Sequence, residues 1–157
     1  MSVKRLQNTL TFIGLAGGVF YFDQWTKKIF SNKSAQELIP FWLSTTQHQN
    51  HGLLANIPVP MPIIILLTGI ICMFLLFETS KEIKREKSRT MIYAFAFIFG
   101  GAIGNIFDRL IHGYVFDWIL IFSRSIINIA DIAIGFGICL WVSKTYLTKT
   151  IINESDI

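Results

Sequence analysis

The stretch Pro60–Phe77, PMPIIILLTGIICMFLLF, carries no charged residue and decides the fold class. An apolar run of ~18 residues is long enough to cross the hydrocarbon core of a bilayer as a helix, which satisfies its own backbone polar groups. Thr90–Phe107 repeats the pattern, again without a charge. Thr9–Phe22 and Ile126–Val142 complete a set of four runs. The first reaches full length only if it continues through Asp23 toward Phe30, and the fourth carries Asp131 as its only charge. The expectation is an all-α polytopic membrane protein with four transmembrane helices, forming a single membrane-embedded domain over residues 1–157. The composition agrees: 52% of the residues are hydrophobic and only 15% charged.

The net charge of +4 is informative through its placement. Lys4 and Arg5 precede the first run; Lys81, Lys84, Arg85, Lys87 and Arg89 lie between the second and third; Lys144 and Lys149 follow the fourth. The other two connections hold only Lys28 and Lys33 in one and Arg124 in the other. Positive residues stay on the cytoplasmic side, so both termini and the 78–90 connection are expected inside, with 31–59 and 112–125 outside. The basic cluster alternates with Glu78, Glu82 and Glu86, which suits a salt-bridged helix extension at the membrane surface rather than a nucleic-acid patch. No small-residue cleavage site follows the first run, so it reads as a retained span. Cys72 and Cys139 fall inside apolar runs and read as packing residues.

Segment 31–59 is too long for a tight turn. Its Leu38–Thr46 portion is amphipathic and rich in β-branched and aromatic residues, as expected of a small β-like platform between helices 1 and 2 on the outer leaflet. Small residues at four-residue spacing, Gly14 with Gly18, Gly100 with Gly104 and Ala133 with Gly137, are expected at helix contacts.

Against this apolar background two aspartates stand out. Asp117 and Asp131 lie in nearly uncharged surroundings with no adjacent cation. Buried carboxylates of this kind face a partner, a cavity or a substrate. Gly101, Asn105 and Asp108 share one stripe of the third helix, and Asn128, Asp131 and Gly135 share one of the fourth. With both termini inside, these polar residues converge near the outer face. Asp23 and Lys27, at i, i+4 spacing, reach the same depth and are expected to pair. Asp108, next to Arg109, suits an anchoring ion pair as well as it suits catalysis.

Two close carboxylates cannot both ionise cheaply, so one holds a proton while the other accepts one. The ionised member takes a proton from an attacking water, and the protonated member donates to the carbonyl oxygen and then to the leaving nitrogen. This is the equipment of an aspartyl hydrolase, and the pair titrates as a unit. Other chemistries are poorly served. His48 and His51 form an HxxH without the glutamate of a zinc-peptidase helix, His112 stands alone, and Ser123 and Ser125 lack a base.

The motifs together resemble the lipoprotein signal peptidase (signal peptidase II) family. Asp23-Gln24-Trp25-Thr26-Lys27 is similar to its D-Q-x-[ST]-K, and Gly100–Arg109 to G-G-A-x-G-N-x-x-D-R. Gly113–Trp118 resembles G-x-V-x-D-[FW], and Asn128–Asp131 resembles N-x-A-D. The motifs follow the family's order over nearly the whole chain. The resemblance implies an aspartic endopeptidase of the bacterial inner membrane, working near its outer face without metal or organic cofactor and with no nucleic-acid partner. Its substrates would be diacylglyceryl-modified prolipoproteins held in membrane lipid and cut just before the lipidated cysteine. It implies Asp117 and Asp131 as the catalytic pair, with Asn105, Asp108, Arg109 and Asn128 shaping the site and Asp23 and Lys27 supporting it. In the outer loop, Asn50 and Gly52 match the family's N-x-G-A-A-F, whereas Leu53, Leu54 and Ala55 depart from it. Ile127 replaces the usual Phe before the Asn, and the segment between the aspartates is short. Two rivals remain at this stage: a small proton-coupled transporter, which would set carboxylates at mid-span, and a non-catalytic lipoprotein-binding relative.

Overall fold

The computed structural model describes residues 2–53, 57–86 and 88–155. Leu54 and Ala55 of the altered loop motif, Lys87 of the basic connection and the side chain of Lys149 lie outside the described residues. Four long helices are present: α1 (Val3–Phe30), α2 (Met61–Arg85), α3 (Arg89–His112) and α4 (Ile129–Ser155). Among the described residues three helical stretches are long and apolar enough to cross a membrane: Met61–Arg85, Arg89–His112 and Ile129–Leu147. The apolar part of α1 is bounded by Gln7 and Asn8 on one side and by Asp23 on the other, so composition does not qualify it.

Each helix boundary has a local cause. Ser2 and Ser88 cap α1 and α3, their hydroxyls accepting from the backbone N–H of Arg5 at 3.2 Å and Met91 at 3.4 Å. Pro62 sits in the first turn of α2, where a missing N–H leaves no bond unmade. Gly113 stops α3 in the left-handed region (φ 78°), its N–H bonding the Arg109 carbonyl at 3.2 Å. The basic end of α2 is the expected helix extension, with Lys81 paired to Glu78 at 2.7 Å. Arg5 reaches Glu86 at 3.1 Å, which sets the N-terminus and the α2–α3 connection at one end of the bundle.

Helix α3 is the central member, packed by α1, α2 and α4. The shared core of Phe12, Ala16, Leu75, Ile92, Phe95 and Ile98 lies along it. Glycines let two of these contacts close. A Cβ on Gly100 would stand 2.6 Å from the Ala16 carbonyl, and one on Gly101 would stand 2.5 Å from that of Ala130. Gly137 meets the Ala94 carbonyl of α3 in the same way, at 2.6 Å. Gly14 and Gly18 depart from expectation: a Cβ on either would have nothing within 4 Å, so neither sits at a tight helix contact. Large side chains such as Leu66, Met73, Phe77 and Phe136 are exposed around the outside, a surface suited to lipid.

The β platform is larger than expected and recruits a second segment. Strands β1 (Gln36–Ile39), β2 (Leu43–Asn50), β3 (Val115–Ile121) and β4 (Ser125–Ile127) form one antiparallel sheet in chain order. The α3–α4 connection therefore supplies half the strands, and Ile126 and Ile127 belong to β4 rather than to the start of the fourth helix. They pair with Leu120 and Ile119, and Asn128 marks the change to helix. The hairpin turn holds Phe122 and Ser123 at φ 51° and 52°. It is pinned from outside by the Phe122 N–H on the Trp42 carbonyl at 3.0 Å and by the two rings, 5.1 Å apart.

Candidate active site

Along β3, alternate residues Val115, Asp117 and Ile119 are buried, so the pleat turns Asp117 inward. Asp131 enters from the first turn of α4. Asn128 joins the two. Its side-chain amide donates to Asp117 Oδ1 at 2.6 Å, and its carbonyl oxygen accepts from the Asp131 backbone N–H at 2.9 Å. Asp131 Oδ2 in turn accepts from the Asn128 backbone N–H at 3.3 Å. This is a reciprocal capping box, so the geometry that starts α4 also fixes Asp131.

Each aspartate has a further amide donor. Asn50, at the end of β2, donates to Asp117 Oδ2 at 3.0 Å, and Asn105 of α3 donates to Asp131 Oδ1 at 2.9 Å. Neither carboxylate has a salt bridge among the described residues. Asp117 is 1% exposed. Burial pushes its carboxyl up to about 6; the Asn50 amide opposes that rise and the neighbouring Asp131 charge adds to it.

Asp108 is committed elsewhere. Lys27 Nζ lies 2.7 Å from Asp23 Oδ2 and 2.8 Å from Asp108 Oδ2, and it donates to Asn105 Oδ1 at 3.3 Å. Asp23 Oδ1 accepts from the Ala130 backbone N–H at 2.9 Å, and Asp108 Oδ2 from that of Phe116 at 3.3 Å. One buried lysine thus joins α1 to α3, and its two carboxylates hold α4 and the entry to β3. The expected Asp23–Lys27 pair is present, and Asp108 pairs with the same lysine rather than with its sequence neighbour Arg109.

Arg109 braces the loop after β2. Its guanidinium donates to the Asn105 carbonyl at 3.2 Å and the Gly52 carbonyl at 3.0 Å, while the Gly52 N–H bonds Asn50 Oδ1 at 3.1 Å. That chain of contacts aims the Asn50 amide at Asp117. The structure therefore brings all ten sequence-derived site residues into one network. Besides the Phe116 backbone N–H, three participants were not foreseen. Gln24 bridges Asp23 (3.1 Å) and Asp108 (2.8 Å), Ala130 contributes its backbone, and Gly104 leaves room for Asp23, whose Oδ2 would lie 2.8 Å from an added Cβ. Gln24 and Gly104 lay within the quoted motifs, but nothing in their spacing assigned them a contact.

A cavity of about 540 Å³ opens onto both aspartates. One arm runs between α2, α3 and α4 along Ile64, Thr68, Ile98 and Ile134; the other reaches the sheet at His48, Arg124 and Ser125. Among the described residues no group of three or more His, Cys, Asp and Glu could hold a metal ion. His48 stands opposite Asp117 in the β2–β3 register, and His51 packs edge-on against Tyr114 at 5.6 Å. The buried carboxylates Asp23, Asp108 and Asp117 all gather at the sheet end of the bundle. The arrangement suits acid–base attack on an amide bond.

Residues 15–147 match the profile of a family described as signal peptidase (SPase) II. A lipoprotein signal peptidase of Chlorobium phaeobacteroides is 36% identical, the alignment covering 93% of this chain and 98% of that protein. One from Staphylococcus aureus is 32% identical, with 93% of each covered. Two solved structures of a bacterial membrane enzyme, obtained by the in meso method at 2.3 and 1.9 Å, superpose with TM-scores of 0.77 and 0.76. They are 31% and 32% identical, covering 89% and 86% of this chain and 89% and 92% of theirs.

Proposed function

The chain belongs to the signal peptidase II family, and from that premise we propose that it removes the signal peptide from prolipoproteins as an aspartic endopeptidase, with Asp117 and Asp131 as the catalytic pair. The observation that carries this reading is the Asn128 junction: its side-chain amide binds the Asp117 carboxylate and its backbone N–H that of Asp131, both at the wall of one cavity, and among the described residues neither carboxylate is in a salt bridge. The dyad shares one proton. Its ionised member draws the proton from a water as that water attacks the scissile carbonyl. Its protonated member donates to the carbonyl oxygen and then to the departing amine. Asn50, Asn105 and Asn128 orient the carboxylates, Arg109 and Gly52 set Asn50, and the Asp23–Lys27–Asp108 unit fixes the helices that carry them.

The protein is a multi-pass bacterial membrane protein. We read all four helices as spanning, with both termini cytoplasmic and the sheet lying on the outer face. The substrate is a diacylglyceryl-modified prolipoprotein, cut before its lipidated cysteine. It enters from the bilayer along the cavity arm between α2, α3 and α4, whose isoleucines suit its apolar portions.

The test is a gel-shift cleavage assay on purified protein with such a substrate. Wild type cleaves; Asp117→Asn and Asp131→Asn each lose cleavage by about 10³-fold or more while remaining folded, the scale of removing a member of a catalytic unit. Asp108→Asn is impaired through stability. Retention of near wild-type rates by either of the first two variants sinks the mechanism.

A further inference from the structure

The cavity wall holds a charged group that the proposed reaction does not use. Of its four charged residues, Asp117 and Asp131 are held by amides and Arg109 is bonded to two backbone carbonyls. The fourth is Arg124. Among the described residues its guanidinium makes no salt bridge or hydrogen bond, although it lines the same cavity as the dyad. Nor is it on a loose loop. Its backbone N–H closes the β3–β4 turn on the Ile121 carbonyl at 3.1 Å, and the turn itself is pinned to Trp42. The held backbone thereby places an exposed arginine at the rim of the active-site cavity with its charge unspent.

The two arms of the cavity differ in chemistry. The side between α2, α3 and α4, with Ile64, Ile71, Ile98 and Ile134, fits the apolar signal segment and acyl chains; the sheet side adds His48, Arg124 and Ser125 to Val115, Ile126 and Ile127 and fits the chain leaving the membrane. Ser125, next to Arg124, pairs with Ile121, four residues along β3 from Asp117. That is roughly 13 Å of extended strand, a span covered by about four residues of an extended substrate, fewer once the arginine's own reach is counted.

We propose that Arg124 is a specificity-determining residue, selecting substrates with an acidic side chain within the first few residues on the mature side of the scissile bond. The inference rests on the peptidase reading above. A carboxylate carried by the substrate is favoured over a lipid phosphate because Arg124 faces the cavity in which the substrate must lie. The ion pair is accessible to solvent, so its effect is modest and salt-sensitive.

The full-length protein in nanodiscs would be given diacylglyceryl-modified prolipoproteins that differ only in a Glu, Gln or Lys at the second, third or fourth mature position. At one or more of these positions wild type prefers Glu over Lys in kcat/KM by roughly three- to fivefold, the scale of an exposed ion pair, and the preference shrinks at high salt. Arg124→Gln removes the preference, and Arg124→Glu reverses it in favour of Lys. A wild type indifferent to substrate charge, or a preference that survives both substitutions, overturns the proposal alone. So does an Arg124 effect that follows exchange of zwitterionic for anionic lipid but not the substrate's charge. Failure to cleave any of these substrates overturns the peptidase reading as well.

Discussion

Asn128 has no exposed surface, and each polar atom of its side chain is occupied. Truncation to alanine leaves Asp117 Oδ1 without its shortest donor and removes the cap of α4. Cleavage by Asn128→Ala should fall roughly 10- to 100-fold, the scale of leaving a buried polar group unpaired, measured as kcat/KM beside the melting temperature. Asp117 makes a prediction of opposite sign for stability. Its ordinary value is 3.8 and its folded value about 6, so the folded state binds the proton more tightly. The stability it contributes is full below its ordinary value and is lost as pH rises through its folded one. Asp117→Asn should therefore be more stable than wild type at neutral pH, by about 3 kcal/mol at most, with the gap narrowing toward pH 4. Thermal melts across that range check it; a gap that widens in acid contradicts the assignment. At this scale the sequence was highly legible. An aspartate in an apolar run advertises itself, and Asp117, Asp131, Asn105 and Asn128 could be named from burial and spacing. The roles of Asp108 and Gln24 could not, because Asp108 meets Gln24 and Lys27 across roughly eighty positions and only the packing of α1 on α3 brings them together.

For whole elements the glycines separate contact from coincidence. Gly101→Ala forces a Cβ onto the Ala130 carbonyl one residue from Asp131, so α3 and α4 must part. We expect a loss of about 1–3 kcal/mol, typical of overpacking, with cleavage impaired as well. Gly14→Ala meets open space and gains helix propensity, so it should be neutral or stabilising by up to about 1 kcal/mol. Melting temperatures of the two variants in detergent decide it; equal losses would show that the packing is misassigned. GxxxG spacing in sequence could not tell these sites apart, since the pattern says a close approach is possible and not which face meets a neighbour. The helices themselves were legible from their apolar length. The sheet was half legible: β1 and β2 showed alternation, whereas β3 and β4 lay in Val115–Ile127, whose isoleucines merge with those of α4. Strand pairing across the α2–α3 hairpin is a long-range event that no local window displays.

Taken as a whole, the molecule has one polar end gathered around Lys27, where α1, α3, α4 and the start of β3 meet. Lys27→Met leaves Asp23 and Asp108 buried without their cation, a loss of about 3–5 kcal/mol, visible as poor yield and a lowered melting temperature before any assay of cleavage. Orientation can be checked with single cysteines in a background lacking Cys72 and Cys139. Ser123→Cys should react with an impermeant thiol reagent from outside, and Ser2→Cys only after the membrane is opened; the reverse pattern inverts the proposed topology. The charge asymmetry of the connections is the basis of this proposed orientation; depth along the helices set Asp23 level with the site, but no local window shows that the first and last helices touch there. They do so through the Ala130 N–H on Asp23 Oδ1, two residues 107 positions apart. That contact has a consequence for biosynthesis. During translation α1, α2 and α3 leave the ribosome as a chain that has neither Asp131 nor the cap that aims Asp117, and Asp23 waits for its backbone partner until the final helix emerges. On the proposed mechanism the peptidase becomes competent only when its C-terminal helix seats, and a fragment lacking that helix is expected not to cut the membrane proteins inserted beside it.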